Sequence, residues 1–111
     1  MTETRCWKIK LKPASTDRVR EWAQTINSRK TEALATLRDE TVIIEAVFLD
    51  STGEGDYLIA IMKAESFEKS AEAAANSKHA IDEYHRRVMR EVREEKIELE
   101  LLVELDRTSE V

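Results

Sequence analysis

Two kinds of residue in this chain could do chemistry from an unusual place, a histidine and two lysines that helical spacing turns toward an apolar stripe. Across positions 66–94, Phe67, Ala71, Ala74, Ile81, Tyr84, Val88 and Val92 recur along one side of a helical pattern. A rotation of about 100° per residue brings His85 near the centre of that stripe, Lys78 to about 20° from it and His79 to about 120°. Lys30 sits in the same kind of position on an earlier pattern, within the stripe of Ile26, Ala33 and Leu37. An ionisable group that faces a packed layer must snorkel, find a partner or line a wet cavity. Two readings follow. In one, both lysines snorkel and His85 is a satisfied, half-buried residue near Tyr84 and Trp22. In the other, a pocket lies between helices and sheet: His85 is the candidate catalytic residue, as general base or donor, and Lys30, Lys78, Trp22 and Tyr84 are the candidate ligand-binding residues. Trp7, Phe48 and Tyr57 are further candidates for its walls.

Other reactive residues point less far. His79 and His85 diverge by about 120° on one helix, so a shared metal with Asp82 between them is not expected, and no metal site is assigned. His79 and Asp82 read as hydrogen-bonded helix surface, with Asp82 four residues before Arg86 in a good ion-pairing position. Glu45 is the one charge in an apolar strand pattern; it would be a proton-transfer group in a cavity, but pairing with Lys8 or Lys10 across the sheet is the simpler expectation. Thr52-Gly53-Glu54-Gly55 lacks the lysine and following helix of a phosphate loop and reads as a hairpin turn. The lone Cys6 has no local base or ligand pattern and reads as packing. No cofactor is expected.

The elements that would position these residues follow from periodicity. Trp7, Ile9 and Leu11 alternate with lysines in a strand over about 5–12 that ends at Pro13. A helical pattern follows over about 16–38, with a kink or second helix expected at Asn27-Ser28, where propensity drops. Strands over about 41–50 and 56–64 flank a turn holding both glycines. Ser66 caps a helix over about 66–94. The alternation of Ile97, Leu99, Leu101, Val103 and Leu105 with acidic residues predicts a last strand over about 96–105. Residues 1–111 thus read as a single α+β domain: a ferredoxin-like βαββαβ unit, with a four-stranded antiparallel sheet and two helices on one face.

The second face of that sheet is too apolar to be left in water. Val42, Ile44, Ala46 and Phe48 lie on one alternation of the second strand and Ile43, Val47 and Leu49 on the other, with Lys8, Lys10, Glu45, Glu98 and Glu100 as the charges available to keep one face wet. The expected partner is a second copy of the chain, in a homodimer through the sheet. The formal charge of −5 argues against nucleic acid as a partner, since a phosphate backbone needs a concentrated basic surface. Arg86, Arg87, Arg90 and Arg93 alternate with glutamates and read as a solvated, ion-paired helix face. No segment approaches the roughly 20 apolar residues of a membrane span, no apolar signal region opens the chain, and a lone cysteine suits a reducing compartment. The expected location is cytoplasmic, with no membrane partner.

The order of elements resembles a known family, together with Glu40-Thr-Val-Ile-Ile-Glu-Ala-Val-Phe-Leu-Asp, the loop to Gly55-Asp56-Tyr57-Leu58, and Ser77-Lys78-His79-Ala80-Ile81-Asp82-Glu83-Tyr84-His85. These segments look like the domain-of-unknown-function 6176 family of small bacterial proteins, which is similar to the dimeric α+β barrel superfamily. That superfamily includes monooxygenases, haem-degrading enzymes, stress-responsive proteins and mutarotases. The resemblance implies the dimeric barrel and transfers no catalytic residue. The function expected is that of a small dimeric barrel protein binding a small organic ligand in a sheet–helix pocket. The alternatives are a cofactor-independent monooxygenase or isomerase using His85, and a structural or protein-interaction module.

Overall fold

A computed structural model describes residues 2–110. Four strands, β1 (Glu3–Leu11), β2 (Val42–Asp50), β3 (Tyr57–Ala64) and β4 (Arg93–Leu99), form one sheet in the order β2-β3-β1-β4. Every neighbouring pair is antiparallel. The last strand therefore lies beside the first, as the ferredoxin-like arrangement requires. Asp50 closes the β2–β3 turn by accepting the Thr52 N–H at 3.2 Å and the Thr52 hydroxyl at 2.7 Å, the short-range bonding that favours Asp in turns.

The expected two helices are four: α1 (Thr16–Ser28), α2 (Lys30–Asp39), α3 (Phe67–Asn76) and α4 (Ala80–Val92). The first run breaks at the single residue Arg29, whose N–H reaches both Thr25 O and Ile26 O at 3.1 Å. The break follows directly on the weak helix formers Asn27 and Ser28. The second run breaks over Ser77–His79 because Ser77 offers the chain another set of bonds: its hydroxyl donates to Asp82 and accepts the His79 N–H at 3.3 Å, so α4 starts afresh. Ser66 caps α3 as expected, accepting the Lys69 N–H at 3.1 Å.

The register assigns each side chain to a face. Trp7, Ile9 and Leu11 share a side with Ala60, Leu58, Val47 and Leu49, and α1 and α4 cover it. The core there joins Ile9, Leu11, Leu58, Val19, Trp22, Val88 and Val92. A register shift between Val42 and Ile44 turns Val42 to the buried side, with Glu45 opposite Met62. Glu98 is opposite Trp7. Val42, Glu45 and Glu98 thus belong to the helix side, not to the open face, and Glu45 cannot pair with Lys8 or Lys10, which point the other way. The open face carries Cys6, Ile44, Phe48, Ile59, Ile61, Ile97 and Leu99, and Phe48 is 58% exposed.

β4 also differs from expectation. It starts at Arg93, directly after α4, and ends at Leu99 opposite Cys6. The alternation to Leu105 continues in sequence, but its pairing with β1 stops at Leu99. Instead Glu104 meets Thr4 and Lys63, and Asp106 meets Lys63, at one corner of the open face, while Leu105 is 92% exposed.

Candidate functional site

A cavity of about 400 Å³ opens between the sheet and α4. Its floor is Trp7, Ile9, Leu58 and Ala60; Trp22 of α1 and His85 and Met89 of α4 form its side. His85 reaches it because it shares the inward row of α4 with Ile81, Val88 and Val92, at spacings of three and four residues.

The Trp22 indole Nε1–H donates to His85 Nδ1 at 3.1 Å, with the rings tilted 39°. An indole N–H can only donate, so Nδ1 is the acceptor and the proton of neutral His85 resides on Nε2. Burial holds the imidazole below its ordinary pKa, and the charges of Lys96 and Arg86 add to that against Asp82. Nε2 has no protein partner among the described residues and is not sealed from the cavity. The site therefore presents a neutral N–H donor whose other nitrogen is already used.

Around this donor stand Arg86 and Arg90 of α4 and Arg93 and Lys96 of β4. Two of the glutamates expected to neutralise that run are engaged elsewhere: Glu91 binds Arg18 Nε at 2.9 Å, and Glu94 lies 3.8 Å from Lys10. Asp82 accepts from Ser77, and Arg86 donates to Ala74 O at 3.1 Å, so the expected Asp82–Arg86 pair is not formed. Among the described residues none of these four cations has an ion pair. The expectation of an ion-paired helix face is overturned for Arg86, Arg90 and Arg93, because the turn into β4 brings them round the cavity. Lys96 lies 4.9 Å over the Trp7 ring, and burial followed by Arg93 lowers its pKa. Sequence reading missed Lys96, whose strand register alone turns it to the helix side.

Glu45 is the acid of this wall. It is open to the mouth, yet protein atoms crowd it on its other sides. Poor solvation there, then Asp82, raises its pKa.

The other sequence candidates are dispersed. Lys30 is exposed on α2 and lines a second, larger cavity that also reaches Trp22 and His85. Lys78 lies in the link between α3 and α4, exposed and lining neither cavity; the rotation that aimed it inward assumed an unbroken helix. Tyr84 turns toward α1, its hydroxyl 3.3 Å from Thr25 Oγ1, between Arg18 and Arg87. Phe48 and Tyr57 are on the opposite sheet face, where Lys8 sits 4.3 Å over the Tyr57 ring, so only the two tryptophans wall the site.

The larger cavity carries the clearest pH signature. Burial pushes the Glu40 carboxyl up to about 7, with Asp82, Glu45 and Asp39 adding to the shift and His79 opposing it. His79 Nε2 is 2.8 Å from Asp39, which raises the imidazole pKa. A carboxyl whose folded pKa lies above its unfolded value contributes stability that is fully present below about pH 4.5 and lost as pH rises through about 7. Glu40→Gln should therefore remove part of the decline in melting temperature over that window and melt higher than the parent at pH 8. Thermal melts from pH 4 to 9 check this, and parallel curves for the two proteins would contradict it.

The family of unknown function (DUF6176) matches residues 2–110. No curated relative matches the chain. Among solved structures, an uncharacterised NIPSNAP-like domain protein from Burkholderia xenovorans is similar at 19% identity and TM-score 0.61, covering 93% of this chain and 85% of its own. A Nitrosomonas europaea protein named as an antibiotic biosynthesis monooxygenase is similar at 8% identity and TM-score 0.59, with 88% and 86% covered. A conserved protein of unknown function from Bacteroides thetaiotaomicron is similar at 19% identity and TM-score 0.53, with 88% and 97% covered. These likenesses establish the shared α+β fold. Among the described residues no helix is long and apolar enough to cross a membrane.

Proposed function

The chain belongs to the family of unknown function DUF6176, and from that premise we propose that it is a cytoplasmic homodimer, closed through its open sheet face, that binds a small organic anion in the sheet–helix cavity. The observation that carries this reading is the unpartnered Nε2–H of His85, held by Trp22 in a cavity rimmed by four unpaired cations. A neutral donor beside fixed positive charge suits a carboxylate or enolate oxygen, and the flat walls of Trp7 and Trp22 suit a planar body.

A second reading, catalysis of the isomerase or cofactor-independent monooxygenase kind, is supported by Glu45. His85 cannot accept a proton at Nε2 without giving up the Trp22 bond, so the proton-accepting role falls to Glu45, with its raised pKa. His85 would then polarise the substrate oxygen.

Calorimetric titration with 2-naphthoate, and with naphthalene-2-carboxamide as its uncharged counterpart, tests the binding reading. The carboxylate should bind and the amide should bind about tenfold more weakly, as expected for losing one charge-assisted hydrogen bond. Arg90→Gln and His85→Leu should each weaken the carboxylate several-fold. Equal binding of both compounds, or of all variants, would sink the proposal.

A further inference from the structure

The cationic cavity is not a closed cell. It runs into the larger cavity, of about 870 Å³, with which it shares Trp7, Trp22, Glu45, His85, Arg86 and Lys96. Away from that junction the character of the lining changes. The extension passes between α2 and α3, along Ala33 and Leu37 on one side and Phe67, Ala71 and Ala74 on the other, with Thr36 and Ser70 also in its lining. The alanines in this lining leave room that larger side chains would fill, and Leu34 remains half exposed. Charge is uneven between the two ends. The His85 end has Arg86, Arg90, Arg93 and Lys96 against Glu45, whose pKa is raised. The rest of the larger cavity adds Lys30 and Arg5 on one side of the balance and Glu40 and Asp82 on the other.

We infer that the occupant is an amphipathic carboxylate: a linear acid with its head at Arg86, Arg90 and the His85 Nε2–H, and its alkyl chain in the gallery between α2 and α3. This deepens the proposed binding function and rests on it. A short aromatic anion needs only the first cavity. The row of apolar side chains leading away from the same histidine is accounted for by a chain. The cations fix the direction, since a carboxylate is stabilised where positive charge is unpaired and a methylene chain against apolar side chains.

Calorimetric titration of the full chain with hexanoate, octanoate and decanoate below their micelle concentrations, and with 1-decanol, tests this. Each added methylene should raise affinity about fourfold, the value for full burial of a CH₂ group. Decanol should bind at least several-fold more weakly than decanoate. Ala71→Trp, at an exposed gallery position that can take a large side chain without disturbing the core, should collapse the difference between decanoate and hexanoate; its thermal melt, matching the parent, shows that folding is intact. If affinity is flat with chain length while 2-naphthoate binds, the gallery inference falls and the anion pocket stands. If neither class binds, both fall. If the chain-length gain survives Ala71→Trp but is lost in Phe48→Glu, the alkyl chain is on the open sheet face and the inference is overturned.

Discussion

Phe48→Glu should sediment as a monomer at micromolar concentration where the parent sediments as a dimer. Phe48 lies on the open sheet face with Ile44, Ile59, Ile61, Ile97 and Leu99, none covered by the four helices. An apolar sheet surface of this kind, interrupted by Lys8, Lys10 and Lys63, is the mark of an interface. In a two-fold dimer each substitution occurs twice, so two carboxylates would be taken out of water with no designed partner. Burying an unpaired charge costs several kcal/mol. At about 1.4 kcal/mol per factor of ten, the dimer should weaken by at least about a thousandfold. The fold should survive, because Phe48 is 58% exposed within one chain and outside the core. Phe48→Leu, which keeps the apolar surface, should remain dimeric. A parent that is monomeric in sedimentation velocity would remove the sheet-to-sheet dimer altogether.

Leu58→Ala should destabilise the chain by about 4 kcal/mol, from lost burial and the cavity left behind. Leu58 is only 2% exposed and stands opposite Ile9 and Leu49 at the centre of the sheet, beneath α1 and α4. It also lines the cationic cavity. Neighbours that already border empty space have little material with which to refill a hole, so the cost belongs in the upper part of the range for such truncations. Urea unfolding should show a lower midpoint with an unchanged slope. A change well below 1 kcal/mol would mean that the site collapses freely and that the cavity floor is soft.

These two residues mark how far the sequence can be read. The period of two that sets Leu58 apart from Tyr57 and Ile59 is visible in consecutive residues, and so is the surplus of apolar residues on both alternations of β2. Both are local properties, because a strand's period of two is written in consecutive residues. The same holds for His85. Its place among Ile81, Val88 and Val92 lies within one unbroken helix, where a rotation of about 100° per residue is reliable.

Phase fails when a break intervenes. Lys78 was aimed inward by counting through Ser77–His79, where Ser77 bonds to Asp82 and His79 and resets the helix. The register shift between Val42 and Ile44 did the same to β2, turning Val42 from the side of Ile44 and Phe48 to that of Glu45, Val47 and Leu49. The last strand shows a different limit: alternation to Leu105 states a preference for pairing, but a strand exists only where a neighbour supplies the hydrogen bonds, and β1 supplies them to Leu99.

What the sequence by itself determined, then, is the four strands and two helical runs in their α+β order, the surplus of apolar surface and the inward turn of His85, all carried by contacts between near neighbours along the chain. What only the tertiary structure decided is the chemistry of the site. Trp22 and His85 are 63 positions apart, and their hydrogen bond fixes the tautomer. Arg86, Arg90, Arg93 and Lys96 become a cationic rim because Glu91 and Glu94 are drawn away to Arg18 and Lys10, and because β4 turns back along β1. Charge pairing and proton placement depend on distances of a few ångströms across separate elements, and local periodicity does not specify those distances.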